Sequence, residues 1–209
     1  MAHILQILRI FVAYFIISIA CFLMLRLIVG YLEFRGDEQF LAYKQDYIGN
    51  PVWKTAFYVH VFTAVLALSA GFTQFSQELL REHTALHRFM GKLYVFNILF
   101  INVPVGMVLA IYANGQLVGK TAFVLLDCLW FWFTYRAYQC VRQKKFAEHK
   151  RFMIRSFALT FSAITLRSWK EIISHSFTID IAQLYMIDAW LGFVPNLIVS
   201  ELVIRKRLH

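Results

Sequence analysis

Residues 53–77 read WKTAFYVHVFTAVLALSAGFTQFSQ, a run in which Lys54 is the sole Lys, Arg, Asp or Glu. About 20 predominantly apolar residues are enough for a helix to cross the hydrocarbon of a bilayer, so this stretch reads as a membrane span. Working outward, the same pattern recurs on both sides, each run closed by polar residues or by Gly, Asn and Pro. It predicts spans near 4–32, 53–77, 88–112, 117–141, 150–174 and 179–204. The expected fold is all-α, a polytopic bundle of six transmembrane helices.

The whole chain agrees with its parts. Of 209 residues, 60% are apolar and only 16% are charged, too little polar surface for a soluble domain. Six spans consume most of the length and leave no room for an independent soluble catalytic module. The one long connection, 33–52, carries Glu33, Arg35, Asp37, Glu38, Lys44 and Asp46 before Gly49-Asn50-Pro51. Without repeats, low-complexity tracts or linkers, 1–209 reads as a single transmembrane domain. Residues 4–32 are too long for a signal-peptide core, contain Arg9 and lack a small-residue cleavage site, so they are expected to be a retained first span. Cys21, Cys128 and Cys140 lie in apolar stretches with no C-x-x-C spacing and read as packing residues.

The formal charge of +9 would suggest nucleic acid in a soluble chain. In a membrane chain Lys and Arg instead mark the cytoplasmic side, and nucleic acid is set aside. Arg81, Arg88 and Lys92 flank the second connection, Arg142, Lys144, Lys145, Lys150 and Arg151 the fourth, and Arg205, Lys206 and Arg207 close the chain. The other connections hold far fewer. Both termini are therefore expected in the cytoplasm.

A charge at the centre of a spanning helix costs at least about 2.5–3.5 kcal/mol, so ionisable residues at depth mark the places to look for function. The fifth span carries His149, Met153, Ser156, Thr160, Ala163, Arg167 and Lys170 at helical spacing, a small and polar stripe. The second carries His60, Ala64, Ala67, Gly71, Gln74 and Gln77, small enough for a helix or a flat ligand to approach closely. Asp127 and Asp188 fall about ten residues from a span end, near the midplane by the rise of about 1.5 Å per residue.

His87 and His149 each open a span at the cytoplasmic side, beside Arg88 and beside Arg151 and Arg155. Neutral imidazoles are good iron ligands and the neighbouring cations could neutralise propionates, which makes the pair candidate axial ligands of a b-type haem. The alternative is that these groups contact lipid headgroups, with their stems snorkelling. No second histidine shares the depth of His60, so a two-haem arrangement is incomplete. Arg167 with His60 would form an outer polar pocket for an anionic headgroup or a quinone oxygen, or would snorkel. Asp127 and Asp188 would line a proton or cation path, or lock helices together by hydrogen bonds. His83 and His87 share a helix face, but the glutamate of H-E-x-x-H is missing; the segment reads as a solvated loop, with a transition-metal site using His83, His87 and Glu82 or Glu148 as the alternative.

These segments resemble a bacterial membrane-protein family of unknown function, DUF 2306. The resemblance rests on His60 with Gly71 and Gln74, on Leu86-His87-Arg88-Phe89-Met90-Gly91-Lys92, and on His149-Lys150-Arg151-Phe152-Met153-Ile154-Arg155 leading to Leu166-Arg167. Trp190-Leu191-Gly192-Phe193-Val194-Pro195-Asn196-Leu197 and Glu201 extend it, over roughly 53–206. It implies a multi-span protein of the bacterial inner membrane. Two functions follow. One is a redox protein with a haem at His87 and His149 and a quinone or other electron partner at His60 and Arg167. The other is a non-enzymatic accessory subunit of a larger membrane complex, or a small transporter using Asp127 and Asp188. Hydrolysis is set aside, because no Gly-x-Ser-x-Gly segment is present.

Overall fold

The computed structural model describes residues 15, 18–19, 22–35 and 39–207. Among these residues the structure is helical, without strands. The chain divides into two compact units, Met1–Gly49 and Asn50–His209. The described part of the first is helical over 22–29 and forms a 3-10 helix at Gln39–Lys44 and a single α-turn at Gln45–Ile48. Most of the first expected span, with Arg9 and Cys21, lies outside the described residues.

The second unit is the bundle. It comprises α1 (Pro51–Thr73), the short α2 (Gln77–Glu82), α3 (Thr84–Ile111), α4 (Gln116–Arg142), α5 (Phe146–Thr160), α6 (Ser162–Ser176), α7 (Ile181–Leu191) and α8 (Val194–Arg207). Helix α1 starts where the sequence supplies both signals: Asn50 accepts from the backbone N–H groups of Val52 and Trp53 at 3.0 and 3.3 Å, and Pro51 fills a position with no bond to lose. Helices α4 and α5 are joined by a tight turn through Lys144, whose φ is +60°, and pack antiparallel along their length. Helix α3 packs between α1 and α4, α5 touches α1 and α8, and α7 lies against α4 and α6.

Four helices among the described residues are long and apolar enough to cross a membrane: Pro51–Thr73, Thr84–Ile111, Gln116–Arg142 and the continuous run Ile181–Lys206. The protein is thus a multi-pass, all-α membrane protein. The run expected at 150–174 is divided at Phe161 into α5 and α6. Hydroxyls turned back onto the backbone surround the break: Thr160 bonds Ser156 O, Ser162 bonds Leu159 O, and Thr165 bonds Phe161 O. Such back-bonding bends helices.

Proline shapes the other irregularities. Pro104 has no N–H and its ring crowds the carbonyl four residues earlier. Immediately before it, Asn97–Asn102 widens to a π-helix inside α3. Pro195 similarly follows the step at Gly192–Phe193 that separates α7 from α8. The Gly192 carbonyl is held there by Thr165 Oγ1 at 2.5 Å and Asn196 Nδ2 at 3.2 Å. Asn196 also donates to Ala158 O, tying the step in α7–α8 to the break in α5–α6.

Candidate functional site

The helices place three groups of polar side chains at three levels. At the first, the ends of α1, α4 and α8 meet the starts of α3 and α5, gathering Arg81, Arg88, Arg142, Lys144, Lys145 and Lys150 at one basic end. His87 and His149 sit here, each in the first turn of its helix and within electrostatic range of the other. His149 Nδ1 lies 2.8 Å from the Ala137 carbonyl on α4. A carbonyl only accepts, so this nitrogen carries the hydrogen, and in the neutral ring the lone pair is on Nε2. His87 Nδ1 is buried without a hydrogen-bond partner, while the His87 carbonyl accepts from Gln74 at the end of α1.

Two glycines fix how closely the helices approach this end. A Cβ on Gly91 would lie 2.8 Å from Gln74 Oε1, and one on Gly71 would lie 2.5 Å from the Phe157 ring. The small residues of α1 thus receive a side chain of a neighbouring helix, not a flat ligand, at Gly71. The arginines have separate fates. Arg88 is exposed and Arg151 half-buried. Arg155 forms a bidentate pair with Glu201 of α8, at 2.5 Å (Nε) and 2.9 Å (Nη2), and lies over Phe133 and Phe152. Its charge is therefore already matched.

Deeper in the bundle, Tyr94 of α3, Trp130 and Thr134 of α4, and Ser156 and Thr160 of α5 form a buried hydroxyl network. Tyr94 OH meets Ser156 at 2.8 Å and Thr160 at 2.7 Å, Thr134 meets Ser156 at 2.7 Å, and the Trp130 indole donates to Thr160 at 3.1 Å. Thr134 and Thr160 also reach the carbonyls of Trp130 and Ser156. Five donor hydrogens serve these six contacts, so the hydroxyl hydrogens have more than one arrangement. Ser156 and Thr160 belong to the stripe visible in the sequence. Their partners Tyr94, Trp130 and Thr134 carried no such signal, because an aromatic or a threonine in an apolar run reads as packing.

Toward the opposite end, Asn97 donates to the Thr63 carbonyl at 2.9 Å and is itself bonded by Asn102, linking the π-segment of α3 to α1. Asp127 on α4 is buried against Gly106 of α3, whose missing Cβ would lie 2.7 Å from Oδ2. Asp188 is not beside it. It stands on α7, seven residues from Ile181 and hence about 10 Å below that end. Lys170 and Arg167 of α6 lie within its electrostatic range, and Arg167 reaches His60 of α1 in the same way. Arg167 thus lies within electrostatic range of both His60 and Asp188. Lys170 donates to Tyr185 OH at 3.0 Å.

Among the described residues no three His, Cys, Asp or Glu side chains gather to hold a metal ion. His83 and Glu82 are exposed, and Glu148 accepts from Cys140 Sγ at 3.6 Å. Cys128 is exposed on α4 and free.

A family model described as "Predicted membrane protein (DUF2306)" matches residues 57–204. The chain belongs to this family. No curated protein and no solved structure matches it. The matched region of this DUF2306 protein begins in α1, ends in α8 and contains all three polar levels.

Proposed function

We propose that this DUF2306 protein is a membrane electron-transfer protein that holds one b-type haem between His87 and His149. The observation that carries the reading is the 2.8 Å contact from His149 Nδ1 to the Ala137 carbonyl. Iron-binding histidines ordinarily give their second ring N–H to such a carbonyl, which fixes the tautomer and aims Nε2 at the metal. His87, in the first turn of α3, offers a second imidazole with a buried, unpartnered nitrogen. His87 and His149 would be the two protein groups that hold the haem. The bound haem would supply reversible one-electron chemistry.

The chain's own residues have distinct parts in this arrangement. The Ala137 carbonyl and the α4–α5 turn hold the His149 ring. Gln74, bonded to the His87 carbonyl, ties the start of α3 to α1. Arg88 and Arg151 would be the cations that meet propionates, and Arg155, paired with Glu201, joins α5 to α8. The membrane is the bacterial inner membrane, crossed six times with the basic end and both termini in the cytoplasm. This orientation is supported by the collection of Lys and Arg at that one end.

The test is a reduced-minus-oxidised visible spectrum of the detergent-purified protein, with pyridine haemochrome quantification. One b-type haem per chain is expected, lost in His149→Ala and in His87→Ala and kept in His60→Ala. A folded protein that stays colourless after haem supplementation overturns the reading and leaves an accessory bundle or transporter.

A further inference from the structure

Helix α4 turns a row of large side chains outward. Phe131, Trp132, Tyr135 and Tyr138 are exposed along it, on a helix long and apolar enough to cross the membrane. Among them stands a cation. Arg136 is half-buried, and its guanidinium carbon lies over two rings, 5.7 Å from the centre of Trp132 and 5.5 Å from that of Phe152 on α5. At such distances a guanidinium is held by cation–π attraction. Because α4 and α5 pack along their length, the clamp is built by two helices and not by one flexible side chain.

The two arginines over Phe152 differ in their charge partners. Arg155, also 5.5 Å from that ring, pairs with Glu201. Where Arg155 has a carboxylate, Arg136 has an amide: its Nη1 donates to Gln139 Oε1 at 3.3 Å. A guanidinium has five N–H donors in one plane, so most of its hydrogen-bonding capacity is left for an acceptor from outside the chain. Depth narrows what that acceptor is. Arg136 stands six residues before the end of α4 at Arg142, about 9 Å along the helix, where headgroups give way to hydrocarbon. An acidic soluble partner does not reach that level, whereas a lipid phosphate does, and a guanidinium meets phosphate oxygens with two parallel hydrogen bonds. The exposed Trp132, Tyr135 and Tyr138 are the side chains that favour this same boundary.

We infer that Arg136, clamped by Trp132 and Phe152, forms a binding site for the phosphate of an anionic phospholipid in the leaflet at the basic end of the bundle. The acyl chains of that lipid lie along the exposed aromatic side of α4, and its phosphate supplies the counter-charge that Glu201 supplies to Arg155. The site uses none of the residues assigned to the haem, so it goes beyond that reading and does not depend on it.

The experiment is native mass spectrometry of the full-length protein in detergent, titrated with dioleoylphosphatidylglycerol or with dioleoylphosphatidylcholine, whose choline offsets the phosphate charge. The first phosphatidylglycerol is expected to bind about fivefold more tightly than the first phosphatidylcholine, the effect of one cation beside an anionic headgroup. Arg136→Gln should bring the two lipids to equal affinity. Trp132→Leu, which keeps the charge but removes one wall of the clamp, should lower the preference, and Arg81→Gln, the same charge change elsewhere at the basic end, should leave it as in the parent. Circular dichroism checks that each variant is folded. Equal affinities in the parent, or a preference unchanged in folded Arg136→Gln and Trp132→Leu variants, overturns the assignment. An Arg136-dependent dimer free of lipid overturns it too, and gives this side of α4 to a second copy of the chain.

Discussion

Adding a single methyl at Gly71 tests the packing that sets the distance between α1 and α5. The new Cβ would lie 2.5 and 2.6 Å from two carbons of the Phe157 ring. Carbon atoms rest comfortably at about 3.5–4.0 Å, so the overlap is about 1 Å. The ring has no easy retreat. It packs edgewise on Phe72 at 5.1 Å and against Phe75 at 5.0 Å. Tyr94, 3.0 Å from the same point, is held by Ser156 and Thr160. Overpacking of this kind costs about 1–3 kcal/mol, so Gly71→Ala should destabilise by that amount. Phe157→Ala should cost about 3 kcal/mol, the lower end for such truncations because the ring is only half-buried. If the two side chains compete for one space, the double variant loses only about 3 kcal/mol, leaving an interaction of at least about 1 kcal/mol. Unfolding in mixed dodecylmaltoside and dodecyl sulfate micelles, followed by circular dichroism, measures the cycle. Additivity within about 0.5 kcal/mol, or no loss in Gly71→Ala, would refute the reasoning.

The hydroxyl network predicts a smaller effect. Tyr94→Phe removes one donor but leaves Thr160 bonded by Trp130 and Ser156 near Thr134, so a loss of about 0.5–1.5 kcal/mol is expected in the same unfolding assay. A double-mutant cycle of Arg155→Ala and Glu201→Ala should give a coupling of about 0.5–1.5 kcal/mol, small for a bidentate pair because Glu201 is 44% exposed. A coupling near zero would show that the pair does not hold α5 to α8. Orientation is read by labelling: in a variant without native cysteines, Lys144→Cys should react with a membrane-impermeant maleimide only in inside-out vesicles. Asn114→Cys should react only in right-side-out cells, and the reverse pattern would invert the topology.

The sequence announced helices more reliably than it announced their interruptions. The spans expected at 88–112 and 117–141 are found as Thr84–Ile111 and Gln116–Arg142, because a long apolar run between polar ends has one economical conformation in lipid. The run at 150–174 breaks at Phe161, where Ser and Thr side chains bond back to the helix. Hydropathy treats those residues as nearly neutral and cannot register that geometry. Pro104 and Pro195 stand at the other irregularities, the π-segment before one and the step before the other.

The site residues divide in the same way. His87, His149, His60 and Arg167 stood out because ionisable groups are expensive in a span. Tyr94, Trp130, Thr134 and Tyr185 did not, since each is ordinary in an apolar helix until a partner on another helix is known. For Asp188 the sequence offered no partners: Lys170 and Arg167, on α6, lie within its electrostatic range only once α7 packs against that helix.

Composition and period alone determined that the chain enters a membrane as helices, that its cations collect at one end, and that histidines open α3 and α5. Those properties are local, repeating over three or four residues of the same helix. The partners were decided by tertiary structure: Ala137 for His149, Glu201 for Arg155, and Thr160 for both Tyr94 and Trp130. Each choice depends on how helices separated by 12 to 66 positions in sequence are rotated and spaced against one another. That rotation is set by which side chain fills which gap, as Phe157 fills the one left by Gly71, and no single helix carries the information.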